Sequence, residues 1–181
     1  MATYRSTGRW PRAIVAAAIG ASFGLAIAAA SLASADPSGA MHQKGNYFLP
    51  DAAASREVTV TKGGAAAAEI TVLTQAVAVK ETGPKETVSR FGEVYSFSPS
   101  FIAVHRDQPT LISFWNLQPD DEHDFMLSDA KSRSLMHVQL PPLKRTSYVF
   151  TFHREGLFNF YCLIHQPEMS GQILVLPPSA R

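Results

Sequence analysis

The chain has 181 residues, a formal net charge of +1 and a single cysteine, Cys162. One cysteine excludes an internal disulfide. The near-balance of charge leaves no basic patch of the kind that marks a nucleic-acid-binding face.

The N-terminus carries Arg5, Arg9 and Arg12, then an uncharged alanine-rich run from Ala13 to Ala30, then Ala33-Ser34-Ala35 before Asp36-Pro37. A basic start, an apolar stretch and an A-x-A site form the pattern of a cleaved secretory signal. The stretch is also about long enough to span a bilayer as an anchor, but its alanine content and the cleavage site favour removal. Residues 1–35 are therefore expected to be a signal peptide, placing the mature protein in the periplasm or another extracytoplasmic space without stable membrane insertion. Their loss removes three arginines and no acid, which leaves 13 basic and 15 acidic residues, a net charge of −2. The rest is long enough for one domain with a sizeable core.

Residues 36–67 are expected to form an N-terminal extension, flexible to about Ser55 because small and polar residues dominate it. Within it, Glu57 to Lys62 alternates as a short strand does. Ile70 to Lys80 has a helical spacing of Ile70, Leu73 and Val77, yet its β-branched density favours a strand. The fold of 56–87 stays open on sequence grounds. Gly83-Pro84 marks a turn. After residue 87 strands are expected at 94–97, 101–105, 110–115, 123–127, 134–140, 146–153, 157–162 and 171–176, with no helix. Polar turns at 116–121 and 155–156 and the pairs Pro141-Pro142 and Pro177-Pro178 separate or close them. Short strands at this spacing imply an all-β Greek-key sandwich or barrel over residues 68–181.

Cys162 lies in Cys162-Leu163-Ile164-His165-Gln166-Pro167-Glu168-Met169. A thiol, an imidazole and a thioether within eight residues are three of the four donors of a mononuclear copper site. In an oxidising compartment a lone thiol is exposed to oxidation, and ligation would protect it. A buried, inert core cysteine is the plainer alternative.

The fourth donor must be another histidine. His123 follows the polar turn and opens a strand, so it can project from the end of a sandwich. His105 and His153 lie beside charged turns that suit the opposite end. Glu168 competes with Met169 as axial donor. Asp124 is either a hydrogen-bonding support for the ligand loop or a solvated acid beside Asp120, Asp121 and Glu122. Met41-His42 and Met136-His137 are candidates for additional copper.

Several blocks carry a family resemblance: Gly92 to Pro99, Trp115-Asn116-Leu117, Glu122-His123-Asp124-Phe125, Gly156 to Cys162, and Met169 to Val175. Over roughly residues 88–178 the chain resembles a cupredoxin domain. An Asn-containing turn precedes the first histidine, an aromatic strand leads to the cysteine, and a glycine-containing strand follows the methionine. The aromatic lead-in and Met-x-Gly strand are similar to the copper domains of cytochrome c oxidase subunit II and nitrous oxide reductase. Those bind two coppers through two cysteines; one cysteine here implies a single copper. Three residues separate His165 from Met169, where family members show two or four.

The resemblance implies a type 1 copper site of His123, Cys162, His165 and Met169, cycling between Cu(I) and Cu(II). It implies one-electron transfer with redox partner proteins and no enzymatic activity, with the His165 edge reaching solvent near Leu163, Ile164 and Pro167. The acids from Asp120 to Asp124 would orient a basic partner. A monomer is expected. Copper tolerance or delivery, with copper-handling proteins as partners, uses the same ligands. A cysteine hydrolase built on Cys162 and His165 is disfavoured by the lack of an oxyanion motif.

Overall fold

The computed structural model describes residues 46–179. The expected signal peptide, and Met41-His42, lie outside the described residues.

Among the described residues, ten strands form two five-stranded sheets. In chain order they are β1 (Val58–Thr61), β2 (Ala68–Ala78), β3 (Val94–Ser98), β4 (Phe101–His105), β5 (Thr110–Asn116), β6 (His123–Ser128), β7 (Ser134–Leu140), β8 (Arg145–Phe152), β9 (Gly156–Tyr161) and β10 (Ser170–Leu176). One sheet runs β1-β8-β5-β2-β3 and the other β4-β10-β9-β6-β7. β2 pairs parallel with β5, and β4 parallel with β10; the other pairings are antiparallel. The result is the expected β-sandwich, and Ile70 to Ala78 is strand, as its β-branched content favours.

Side chains alternate across each strand, and the inward set is aromatic. Tyr95 and Phe97 of β3, Phe114 of β5, Phe125 of β6, Phe150 and Phe152 of β8, and Phe158 and Phe160 of β9 are all buried. The Phe125 ring lies 4.4 Å from Phe114, on the opposite sheet, and 5.5 Å from Phe160, on its own. Each fully buried phenylalanine contributes about 2–3 kcal/mol. This rigid block carries the site at one end. Gly171 of β10 faces into it, because a Cβ there would stand 2.3 Å from both the Phe160 ring and the Ser100 carbonyl oxygen.

Two sequence expectations need correction. A helix, α1 (Lys85–Phe91), overlaps the region read as purely β. It begins after Pro84 and ends at Gly92, whose φ of 79° suits only glycine well. None of its residues is buried, so it has no apolar stripe to reveal it.

The second concerns residues 46–67. β1 pairs with β8, and Ala54, in a short 3-10 turn (Ala54–Arg56), is buried in the core. Asp51 Oδ1 accepts the Ala53 and Ala54 N–H groups at 3.0 and 2.8 Å, holding that turn. Phe48 exchanges backbone hydrogen bonds of 2.8 and 2.9 Å with His137 on β7. Chain assigned to a flexible extension is thus folded onto the sandwich, and the folded body starts before residue 68.

Candidate metal centre

Strand alternation turns His123, Cys162 and Met169 to the inward side of their strands. On β6, Phe125 and Leu127 face inward, and His123 shares their parity. On β9, Phe158 and Phe160 face inward, and Cys162 is the next position of that set. On β10, Ile173 and Gly171 face inward, and Met169 continues that set backwards. The β9–β10 ladder extends through a Cys162 N–H to Met169 carbonyl bond of 2.9 Å. The Met169 N–H in turn donates to the His165 carbonyl at 2.9 Å, closing the loop tightly.

One donor atom each from His123, Cys162 and His165 lies within 4.8 Å of the others. The two Nδ1 atoms are 3.1 Å apart, and Cys162 Sγ is 3.5 Å from His165 Nδ1. His123, Cys162 and Met169 are fully buried, and His165 is half-buried. Glu168, the competing axial candidate, is exposed.

Burial governs the protonation of these groups. It lowers the His123 pKa to about 4, helped by the neighbouring His165 and opposed by Asp121. It raises the Cys162 thiol to about 11, aided by the Asp124 charge and opposed by backbone hydrogen bonds from Asp124, Ile164 and His165. His123 Nε2 is buried without a hydrogen-bond partner. With the proton on that nitrogen, the Nδ1 lone pair points to its fellow donors. Two imidazoles and a thiol form a donor set of mixed softness. That chemistry fits copper better than a hard cation.

The turn into His123 is held from within. Asn116 is fully buried and uses all four of its hydrogen-bonding positions. Its Oδ1 accepts from Thr74 Oγ1 and the Gln118 N–H, each at 2.9 Å. Its Nδ2 donates to the Asp121 and Leu140 carbonyls at 2.8 and 2.9 Å. Asp124 is a support for the ligand loop and not a solvated acid. It is buried, and its Oδ1 accepts the Leu163 N–H at 2.7 Å. Its Oδ2 sits 3.3 Å from His137 Nε2, outside hydrogen-bond geometry.

Sequence reasoning gave no role to two side chains here, Tyr95 and Tyr47, and read a third, His137, only as a candidate for additional copper. Tyr95, on the opposite sheet, packs its ring 4.9 Å from His123 and 4.6 Å from His165, and its hydroxyl donates to Asp121. Tyr47 packs 4.9 Å from His137 and donates to Glu122 at 2.9 Å. His137 is buried against both Tyr47 and Phe48. The inward parity of Tyr95 on β3 was a usable signal; Tyr47 left none. The acidic turn also differs from expectation. Asp121, Glu122 and Asp124 are engaged internally, Glu122 by Gln139 as well as Tyr47, which leaves Asp120 as its exposed acid.

The remaining candidates fall elsewhere. His105 ends β4 beside Leu176, the last residue of β10, and its Nδ1 is 2.6 Å from the Pro177 carbonyl. His153 follows β8 and contacts Asp107 at 2.9 Å and Thr59 at 3.1 Å. Both are at the opposite end of the sandwich from the cluster. Met136 and His137 are both buried.

No family model matches the chain, and no curated protein matches it. Solved structures do resemble it. Auracyanin B aligns at a TM-score of 0.48 with 12% identity, over 67% of this chain and 99% of its own. Auracyanin A, a blue copper protein from the green thermophilic photosynthetic bacterium Chloroflexus aurantiacus, aligns at 0.43 with 15% identity, over 60% and 98%. A purple cupredoxin from Nitrosopumilus maritimus aligns at 0.39 with 18% identity, over 59% and 98%. These are distant likenesses of fold. The chain's own two mixed sheets, with a His-Cys-His cluster at one end, define a cupredoxin-like β-sandwich.

Proposed function

We propose that this chain binds one copper ion through His123, Cys162, His165 and Met169 and carries single electrons outside the cytoplasm. The observation that carries this reading is the convergence of one donor atom each from His123, His165 and Cys162 within 4.8 Å of one another at a buried end of the sandwich. Copper there would supply a Cu(I)/Cu(II) couple. Two histidines and a thiolate with a weak thioether suit both oxidation states, so little has to move between them.

The protein's own residues perform the rest. The β scaffold and Asn116 hold His123 in place, and Asp124 holds the ligand loop by the Leu163 N–H. Burial keeps water from the thiolate and the thioether. His165 is half-buried, and Leu163 and Ile164 beside it are 46% and 41% exposed. That makes the ligand loop the natural face for electron exchange with a redox protein. The buried position of Met169 and the exposure of Glu168 support the thioether as axial donor. The pattern from Arg5 to Ala35 supports export.

Copper tolerance or delivery is the second reading, and additional ligands would favour it. Met136 and His137, however, are enclosed by the fold. Copper titration followed by optical and EPR spectra tests the proposal. One copper per chain with an intense sulfur-to-copper charge-transfer band is expected. Several weakly held coppers per chain, passed readily to a chelator, would favour delivery.

A further inference from the structure

Tyr95 has no role in the ligand set, yet its ring packs against both histidines. Its ring centroid lies 4.9 Å from His123 at an interplanar angle of 65°, and 4.6 Å from His165 at 54°. The two imidazoles are themselves inclined by 63°, with centroids 4.9 Å apart. The three rings form a compact triangle of mutual contacts.

The phenol is only 1% exposed and comes from β3, on the sheet facing the one that supplies His123 and Cys162. Its hydroxyl donates to Asp121, in the turn two residues before His123. Ring and hydroxyl thus grip the same ligand from two sides, one through the imidazole and one through the backbone leading to it.

We propose that Tyr95 is the positioning residue of the metal centre: its ring sets the mutual inclination of the His123 and His165 imidazoles before any metal arrives. A site pre-shaped in this way avoids the entropy of ordering two side chains on binding, and ligands on a packed scaffold hold their geometry closely. His123 Nε2 has no hydrogen bond to hold its ring. Ring packing must then do what a hydrogen bond to the second nitrogen does for most metal-binding histidines. The inference rests on the proposed ligand set for its metal-loaded half, and on the metal-free protein alone for the other.

The test compares Tyr95→Leu, Tyr95→Phe and a control, Phe97→Leu, which alters the same inward face of β3 but has its ring contacts with Phe125 and Phe160. In metal-free protein, NMR of the imidazole nitrogens and ring protons should give one sharp set for His123 and His165 in the parent, Tyr95→Phe and Phe97→Leu. Tyr95→Leu should give broadened or multiple sets. Loaded with Cu(II), Tyr95→Leu should bind at least about tenfold more weakly and show an altered EPR hyperfine splitting, while Tyr95→Phe restores the parent signal. If Tyr95→Leu does not fold, Tyr95→Met, whose side chain is unbranched and flexible, carries the same expectation. Unchanged imidazole and EPR spectra in a folded Tyr95→Leu or Tyr95→Met, or equal changes in Phe97→Leu, would overturn the inference. If the parent binds no copper, the ligand proposal fails while the metal-free comparison still decides the role of Tyr95.

Discussion

Asp124 and Leu163 are joined by a 2.7 Å hydrogen bond between a buried carboxylate and a loop N–H, 39 positions apart in sequence. The bond ties the strand that presents His123 to the loop that presents Cys162 and His165. Replacing Asp124 with alanine leaves the Leu163 N–H without its partner and should cost the metal-free protein about 2–3 kcal/mol. Asp124→Asn keeps an acceptor oxygen and should cost about 1 kcal/mol. Urea denaturation of the metal-free variants measures both; equal losses would mean that the bond contributes nothing specific.

Cys162→Ser removes the thiolate and should abolish the charge-transfer band while leaving the fold intact. Outer-shell changes at metal sites cost about 10–100-fold in affinity, so loss of a direct donor should exceed that. Copper titration monitored by absorption reads both effects. A surviving intense band would show that the sulfur is not a ligand.

Met169→Leu retains volume but removes the thioether. Copper should stay bound, with affinity falling by no more than about tenfold, or 1.4 kcal/mol. The reduction potential should rise, because the oxidised ion loses more from a missing donor than the reduced one. Glu168→Gln, at an exposed position, should change neither quantity. Voltammetry of the two variants separates the candidates, and the opposite ranking would assign the axial position to Glu168.

The pH dependence of the metal-free protein follows from two opposed shifts. His123 has its pKa lowered to about 4 in the folded state. Between about pH 6.5 and 4 the unfolded chain therefore takes up a proton that the folded protein refuses, and stability falls as pH falls. Cys162 is raised to about 11. Above about pH 9 the unfolded chain releases a proton that the folded protein keeps, and stability falls as pH rises. The acid arm is worth at most about 3.5 kcal/mol and the alkaline arm at most about 3 kcal/mol, with a plateau between them. Copper binding at neutral pH must displace the Cys162 proton, so about one proton should be released per metal. Calorimetry in buffers of different ionisation enthalpy measures that number.

Much of this arrangement is readable in the chain because it is local. Cys162, His165 and Met169 fall within eight residues, and the period-2 pattern of the aromatic strands announces the sheets. His123 was recognisable from its position between a polar turn and a strand. What escaped depends on contacts between distant segments. Tyr47 lies 75 positions from Glu122, and Tyr95 lies 26 from Asp121; no spacing rule links such pairs. The acids of the turn look solvated because local sequence cannot show that tyrosines, a glutamine and a loop amide meet them. The helix Lys85–Phe91 escaped for a different reason: with no buried residue, it lacks the periodicity by which helices are read.

The β9–β10 hairpin brings Cys162, His165 and Met169 together by local pairing alone, whereas His123 joins only when β6 docks beside β9. Hairpins close in about microseconds, and long-range pairings follow more slowly. In a refolding chain the loop that carries Cys162, His165 and Met169 can therefore close before His123 is in place. Under the proposed ligand set, an ion added during refolding would meet that loop first, so the order of assembly would depend on whether metal is present.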